Sequence, residues 1–185
     1  MGSPDARQID GLGGAHPLTS KVAIVSLSAR EDADVDYLFL QVTPDSGAIS
    51  DAQNCGNMLA GVGPFSIERG LVPAQEGETR VRVYLANSNS CADLIVQTPN
   101  RQVTYEGTAK IDGVAGQYAP VLQNYYETAG AQCGALLPTG NEIDVIDDIE
   151  CTLIDSGMPS VLLRAADFGL SGYETPEELE ANQAL

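Results

Sequence analysis

NCGNMLAGVGPFSIERG, residues 54–70, joins a polar, turn-forming Asn54-Cys55-Gly56-Asn57 to an apolar segment that reads as one helix over residues 57–69, stopped by Gly70. Pro64 lies inside that helix, where it removes a backbone donor and should kink the segment. Gly61 and Gly63 are read as points where strands approach closely rather than as ligand contacts. Around this helix the chain is a succession of short β-branched runs: 22–25, 37–42, 80–85, 92–97, 102–106, 109–111 and 161–164, separated by Gly, Pro and Asn. A second helix is expected from Thr175, where Thr-Pro-Glu-Glu supplies an N-cap, a helix-opening proline and an acidic first turn. One central helix among many strands predicts an α+β chain. With no Trp and three Phe, its core is expected to rely on Val, Ile, Leu and Ala.

A thiol at a helix start lies beside unpaired backbone N–H groups and the positive end of the helix dipole, and both favour thiolate. The same amides suit a carboxylate or the enolate oxygen that forms when a C–H next to a carbonyl is deprotonated. Cys55 has that position. Lys21, one of two lysines in the chain, follows Leu18-Thr19-Ser20 and opens Val22-Ala23-Ile24-Val25, which reads as a buried strand. A lysine at a strand entrance is placed to reach into a cleft. To act as a base near neutral pH it must shed a proton that lysines ordinarily keep; burial promotes this and a neighbouring thiolate opposes it. Against this stand the plainer readings, a cysteine that is a small buried hydrophobe and a lysine that is a solvated charge.

The segments MGSPDARQIDGLGGAHPLTSKVAIVS, DADVDYLFLQV, QNCGNMLAGVGPFSIERGLV, VQTPNRQVTYEGTAKIDGVAG and GYETPEELEANQAL resemble consecutive blocks of the PrpF family of isomerases, nearest its branch acting on 4-oxalomesaconate in gallate breakdown. The resemblance implies a fold like diaminopimelate epimerase, in which a strongly curved mixed sheet or barrel wraps one central helix. It implies Lys21 and Cys55 as the proton-transfer pair, with Thr19, Ser20, Asn54, Gly56 and Asn57 holding carboxylates and the developing enolate. The implied reaction is a cofactor-independent 1,3-proton shift on an unsaturated oxo-polycarboxylate, 4-oxalomesaconate from keto to enol. The runner-up is a 2-methylaconitate or methylitaconate-type isomerisation. A reading from another class is a non-catalytic remnant that binds carboxylates or a partner. Relatives carry an arginine- and glycine-rich segment before the first block and a second domain after the last, so residues 1–185 are expected to be most of an N-terminal domain.

A net charge of −17 argues against nucleic acid or an anionic membrane as partner. It leaves a small polycarboxylate to be held by local donors, and leaves a homodimer open. Asp32, Asp34 and Asp36 alternate with Ala33 and Val35 and are expected to form one exposed acidic edge; Asp144, Asp147, Asp148 and Glu150 are read as solvating. His16, the single histidine, and four cysteines without paired spacing give no recognisable metal set. Lacking a signal peptide, a membrane span and a disulfide pattern, the sequence reads as cytoplasmic with reduced thiols.

Overall fold

Alternating burial of Val35, Tyr37 and Phe39 marks a strand with one face turned to the core. The computed structural model describes residues 1–183 and 185, in two units, 1–127 and 128–185. The first unit holds strands Lys21–Leu27 (β1), Val35–Val42 (β2), Ile49–Ser50 (β3), Gly77–Leu85 (β4), Ser90–Thr98 (β5) and Val121–Tyr125 (β6), with helix Gly56–Glu68 (α1) between β3 and β4. The sheet order is β1-β2-β4-β5-β6, with β3 paired to β2. Only β2 and β4 run parallel, and every other pairing in this sheet is antiparallel. Helix α1 packs on β1 and β2 and also on β5 and β6, strands from both ends of that order, so the sheet curves about the helix. It does not close: β1 and β6 are its two ends, and α1 rather than a strand pairing spans them. The architecture is mixed α+β, mostly strand, and the expected barrel is corrected to an open, curved sheet.

The helix starts within one residue of its expected position and runs unbroken through Pro64. Pro64 is buried, so its packing offsets the lost backbone bond. A Cβ on Gly63 would lie 2.7 Å from Val96 Cγ2 and 3.2 Å from Leu94 Cδ1, so glycine lets α1 settle onto β5. Gly61 faces open space and has no such role, which corrects that half of the expectation. The core combines Val35, Val62, Val72, Val81, Val83 and Val96 with Leu59, Leu85, Leu94, Ala92, Tyr37 and Phe39. Isoleucine, expected to contribute, supplies none of these.

Strand β1 departs from its reading as a buried strand. It is a sheet end, with Ile24 49% and Leu27 61% exposed, while Ala23 and Val25 pack towards the core. The acidic edge is corrected too. Arg30 pairs with Asp32, Arg82 grips Asp34 through its guanidinium and its backbone N–H, and Asp36 Oδ1 is buried. Residues 102–106 are not a strand, although Thr104 N–H donates to Gln97 O, and the expected strand at 109–111 reduces to the single bridge Ala109 to Tyr118.

In the second unit Asp144–Ile146 (β7), Ile149–Asp155 (β8) and Pro159–Leu163 (β9) form an antiparallel meander. Asp147 and Asp148, at φ 50° and 64°, make the two-residue turn between β7 and β8, so part of the second acidic cluster is turn chemistry. Asp155 is buried and its carboxylate accepts from the backbone N–H of Gln132, Cys133 and Gly157. Helix Pro176–Ala181 (α2) begins with the Thr175 cap, reinforced by Glu178 in a reciprocal capping box. Among the described residues no helix is long and apolar enough to cross a membrane.

Two outcomes test this packing. Gly63→Ala should cost about 1–3 kcal/mol in urea unfolding, because Val96 and Leu94 must give way in a filled core. Burial pushes the Asp34 carboxyl up, but hydrogen bonds from Arg82 and its charge outweigh that and hold it below the usual range. The stabilisation is therefore present above the unfolded value of about 4 and is lost as pH falls below it; Asp34→Asn should flatten that part of the acid dependence of the urea midpoint.

Candidate active site

Two strand ends and a helix start converge on one pair of side chains. Alternation along β1 puts Lys21 on the face shared with Ala23 and Val25, which is the face that meets α1. Gln41, the register partner of Lys21, fixes where the strand begins: its Nε2 donates to Pro17 O at 2.8 Å and to Ser20 O at 3.2 Å. Cys55 is the N-cap residue of α1, in extended conformation, and its side chain makes no capping bond. Lys21 Nζ donates to Cys55 Sγ at 3.5 Å. Thirty-four positions apart in sequence, an amine and a thiol thus meet at the positive end of a thirteen-residue helix.

Their neighbours differ in what they offer. Gly56 and Asn57 begin the first turn of α1 directly after the thiol, and Asn57 is exposed. Thr19 is exposed, with its hydroxyl bonded to His16 O at 3.2 Å. Ser20 is fully buried, and its hydroxyl donates to Gln8 Oε1 at 2.9 Å, so it pins the strand entrance and has no hydroxyl to spare. Asn54 Nδ2 donates to Ser88 Oγ at 2.6 Å, while its Oδ1 is buried without a partner. His16 is an exposed local cap whose Nδ1 accepts from Leu18 N–H.

Several residues near the pair carry no motif and escaped the sequence reading. Tyr37 Oη donates to Cys55 O at 3.2 Å, a carbonyl that also accepts from Leu59 N–H at 2.9 Å. Burial, with the Cys55 sulfur nearby, holds the Tyr37 phenol well above its usual range, which keeps it a donor. Gln123 Nε2 donates to Gly56 O at 2.9 Å, and Tyr125 Oη donates to Gln123 Oε1. A Cβ on Gly56 would lie 3.0 Å from Tyr125 Oη. The Tyr125 phenol is raised as well, by burial first and then by Cys55. Gln8 escaped notice too; it is buried and binds Ala15 N–H and Ser20 Oγ through one oxygen. The one available signal was alternation: Tyr37 occupies a core-facing position of β2.

Beside the helix start lies a cavity of about 520 Å³, lined by Asn57 and Ala60 of α1, Gln123 of β6, and Ile111, Val114 and Tyr118 of the connecting loop. Polar groups at the helix start thus border an apolar wall, as in many small-molecule sites.

The chain is 58% identical over 185 residues to the (4E)-oxalomesaconate Delta-isomerase of Novosphingobium sp. (strain KA1), with 100% of the chain and 52% of that protein covered. It is 56% identical over 185 residues to the 4-oxalomesaconate tautomerase of Pseudomonas putida, covering 100% of the chain and 51% of that protein. The crystal structure of methylitaconate-delta-isomerase is similar at a TM-score of 0.80 and 44% identity, over 98% of this chain and 48% of that one. The chain spans about half the length of the curated relatives it matches. The family profile described as PrpF protein matches residues 1–185.

Tyr37→Phe should lower stability by about 1 kcal/mol in urea unfolding, the cost of one buried hydrogen bond to a carbonyl that keeps its helical donor. It should also loosen the helix start, read as faster amide hydrogen exchange at Leu59.

Proposed function

The chain belongs to the PrpF family, and on that premise we propose that it carries the proton-transfer pair of an isomerase that shifts a proton of 4-oxalomesaconate from carbon to the ketone oxygen, from the keto to the enol form. The observation that carries this reading is the 3.5 Å contact of Lys21 Nζ with Cys55 Sγ at the start of α1. The names of the relatives at 58% and 56% identity support the substrate. The curved sheet about one helix supports a fold of the diaminopimelate epimerase type.

In this mechanism Lys21, as free amine, removes a proton from the carbon next to the ketone. Charge develops on the ketone oxygen, and the first-turn amides of α1 with Asn57 stabilise it. Cys55 delivers a proton to that oxygen, which gives the enol and leaves a thiolate, and the ammonium formed at Lys21 returns its proton to the thiolate, restoring the pair. No cofactor enters these steps. Thr19 and Asn57 are the exposed side chains placed to hold carboxylates.

A second reading, isomerisation of a methylitaconate- or 2-methylaconitate-type acid, is favoured by the likeness to methylitaconate-delta-isomerase. In that reaction Cys55 returns the proton to the far carbon of the allylic system instead of to oxygen, and the apolar wall of the cavity beside α1 suits a methyl group.

The test is the ultraviolet change of 4-oxalomesaconate. It is followed with this chain and with a protein of the relatives' full length in which these residues replace the matched half. The full-length form should turn over, and Lys21→Ala and Cys55→Ala should each lower kcat by about 10²–10⁴-fold without loss of fold. No turnover by that folded protein, or full activity in Lys21→Ala, would overturn the assignment. Turnover of a methyl-bearing acid in its place would select the second reading.

A further inference from the structure

We propose that the turn Asn87-Ser88, at the end of the β4–β5 hairpin, is a positioning device that holds Cys55 against Lys21. Strands β2 and β4 pair in parallel only from Val35 to Tyr37 against Val83 to Leu85, after which the chain turns back into β5. At the next available rung the Asn87 side chain stands in for the missing strand. Its Oδ1 accepts from Phe39 N–H at 2.8 Å and its Nδ2 donates to Phe39 O at 2.9 Å, as a backbone peptide unit would. The same Nδ2 donates to Asp51 O at 2.7 Å, tying the loop before the helix to the sheet. One residue on, Ser88 Oγ accepts from Asn54 Nδ2 at 2.6 Å and is itself braced by Ser90 Oγ at 2.7 Å. Residues 51–54 are thus held at both ends by side chains of a single turn, and the next residue is the thiol.

Cys55 cannot hold itself in place. Its side chain does not cap the helix, and residues 51–54 lie outside regular structure. From the sheet side Tyr37, bonded to the Cys55 carbonyl, and Gln123, bonded to the Gly56 carbonyl, hold the helix start but not the loop before it. Without the turn, the loop loses its fixed length between the end of β3 and the helix start, and the sulfur loses its fixed distance to Nζ. Asn87 and Ser88 act through that distance and touch no substrate.

The experiment has two arms. The first needs no substrate: o-phthalaldehyde condenses with one amine and one adjacent thiol, losing two waters, to give a fluorescent isoindole. The full chain should give this fluorescence, and Lys21→Ala and Cys55→Ser should abolish it. Ser88→Ala and Asn87→Ala should reduce its rate by about 10-fold or more, with circular dichroism unchanged, and Ser88→Thr should restore it; a displacement near 1 Å is enough for losses of this order. The second arm rests on the isomerase reading above: in the full-length form Ser88→Ala should lower kcat by about 10-fold with KM within about twofold. Unchanged isoindole formation in folded Ser88→Ala or Asn87→Ala would overturn the proposal. Reduced isoindole formation without turnover of any acid tried would uphold it while sinking the isomerase reading.

Discussion

Everything in the first unit follows from how deeply α1 sits in its sheet. A helix touching strands from both ends of a curved sheet must come within van der Waals distance of the central ones, and Gly63 permits this above Leu94 and Val96. The depth sets where the helix start emerges, between the entrance of β1 and the end of β6. Lys21 and Gln123 flank it there because their strands do. Packing at the middle of the helix therefore sets where Lys21 and Cys55 meet at its end.

Electrostatics has to work locally against the sum. A chain of net charge −17 repels a polycarboxylate at long range, and screening confines that repulsion to about 8–10 Å at physiological salt. Several of the acidic groups are already engaged: Asp34 by Arg82, Asp93 by Arg80 and Tyr126, Asp155 by three backbone amides. Around the helix start Lys21 donates to the Cys55 sulfur, Tyr37 to the Cys55 carbonyl and Gln123 to the Gly56 carbonyl. Such donors act at contact range, where the long-range field of the molecule counts least.

What the sequence disclosed and what it hid divide along physical lines. Helix α1 and the Thr175 cap were legible because turn residues, caps and an apolar run are local signals. The strands at 22–25, 37–42, 80–85 and 92–97 were legible for the same reason, each two or three residues short at its ends. β6, β7 and β8 were missed because Gln123, Asn124, Asp144 and Glu150 interrupt any alternation, and residues 102–106 looked like a strand but pair only in passing. Lys21 and Cys55 could be named singly from their flanks, yet their contact is made by tertiary packing across thirty-four positions. The supporting amides, Gln8, Asn87 and Gln123, had no signature, since a side-chain amide that replaces a peptide group looks like any polar residue in a loop.

The register of β1 adds a consequence of its own. Lys21 faces the helix because it lies an even number of residues before Ala23 and Val25, and its ladder to Gln41 through Leu27 to Val35 fixes that parity. A single-residue insertion between Lys21 and Ala23 would send the ammonium to the opposite face, whereas a two-residue insertion would keep its side and cost only reach. Descendants of this gene should therefore vary in length at the exposed residues 29–32 while the first five residues of β1 behave as an indivisible word, read correctly or not at all.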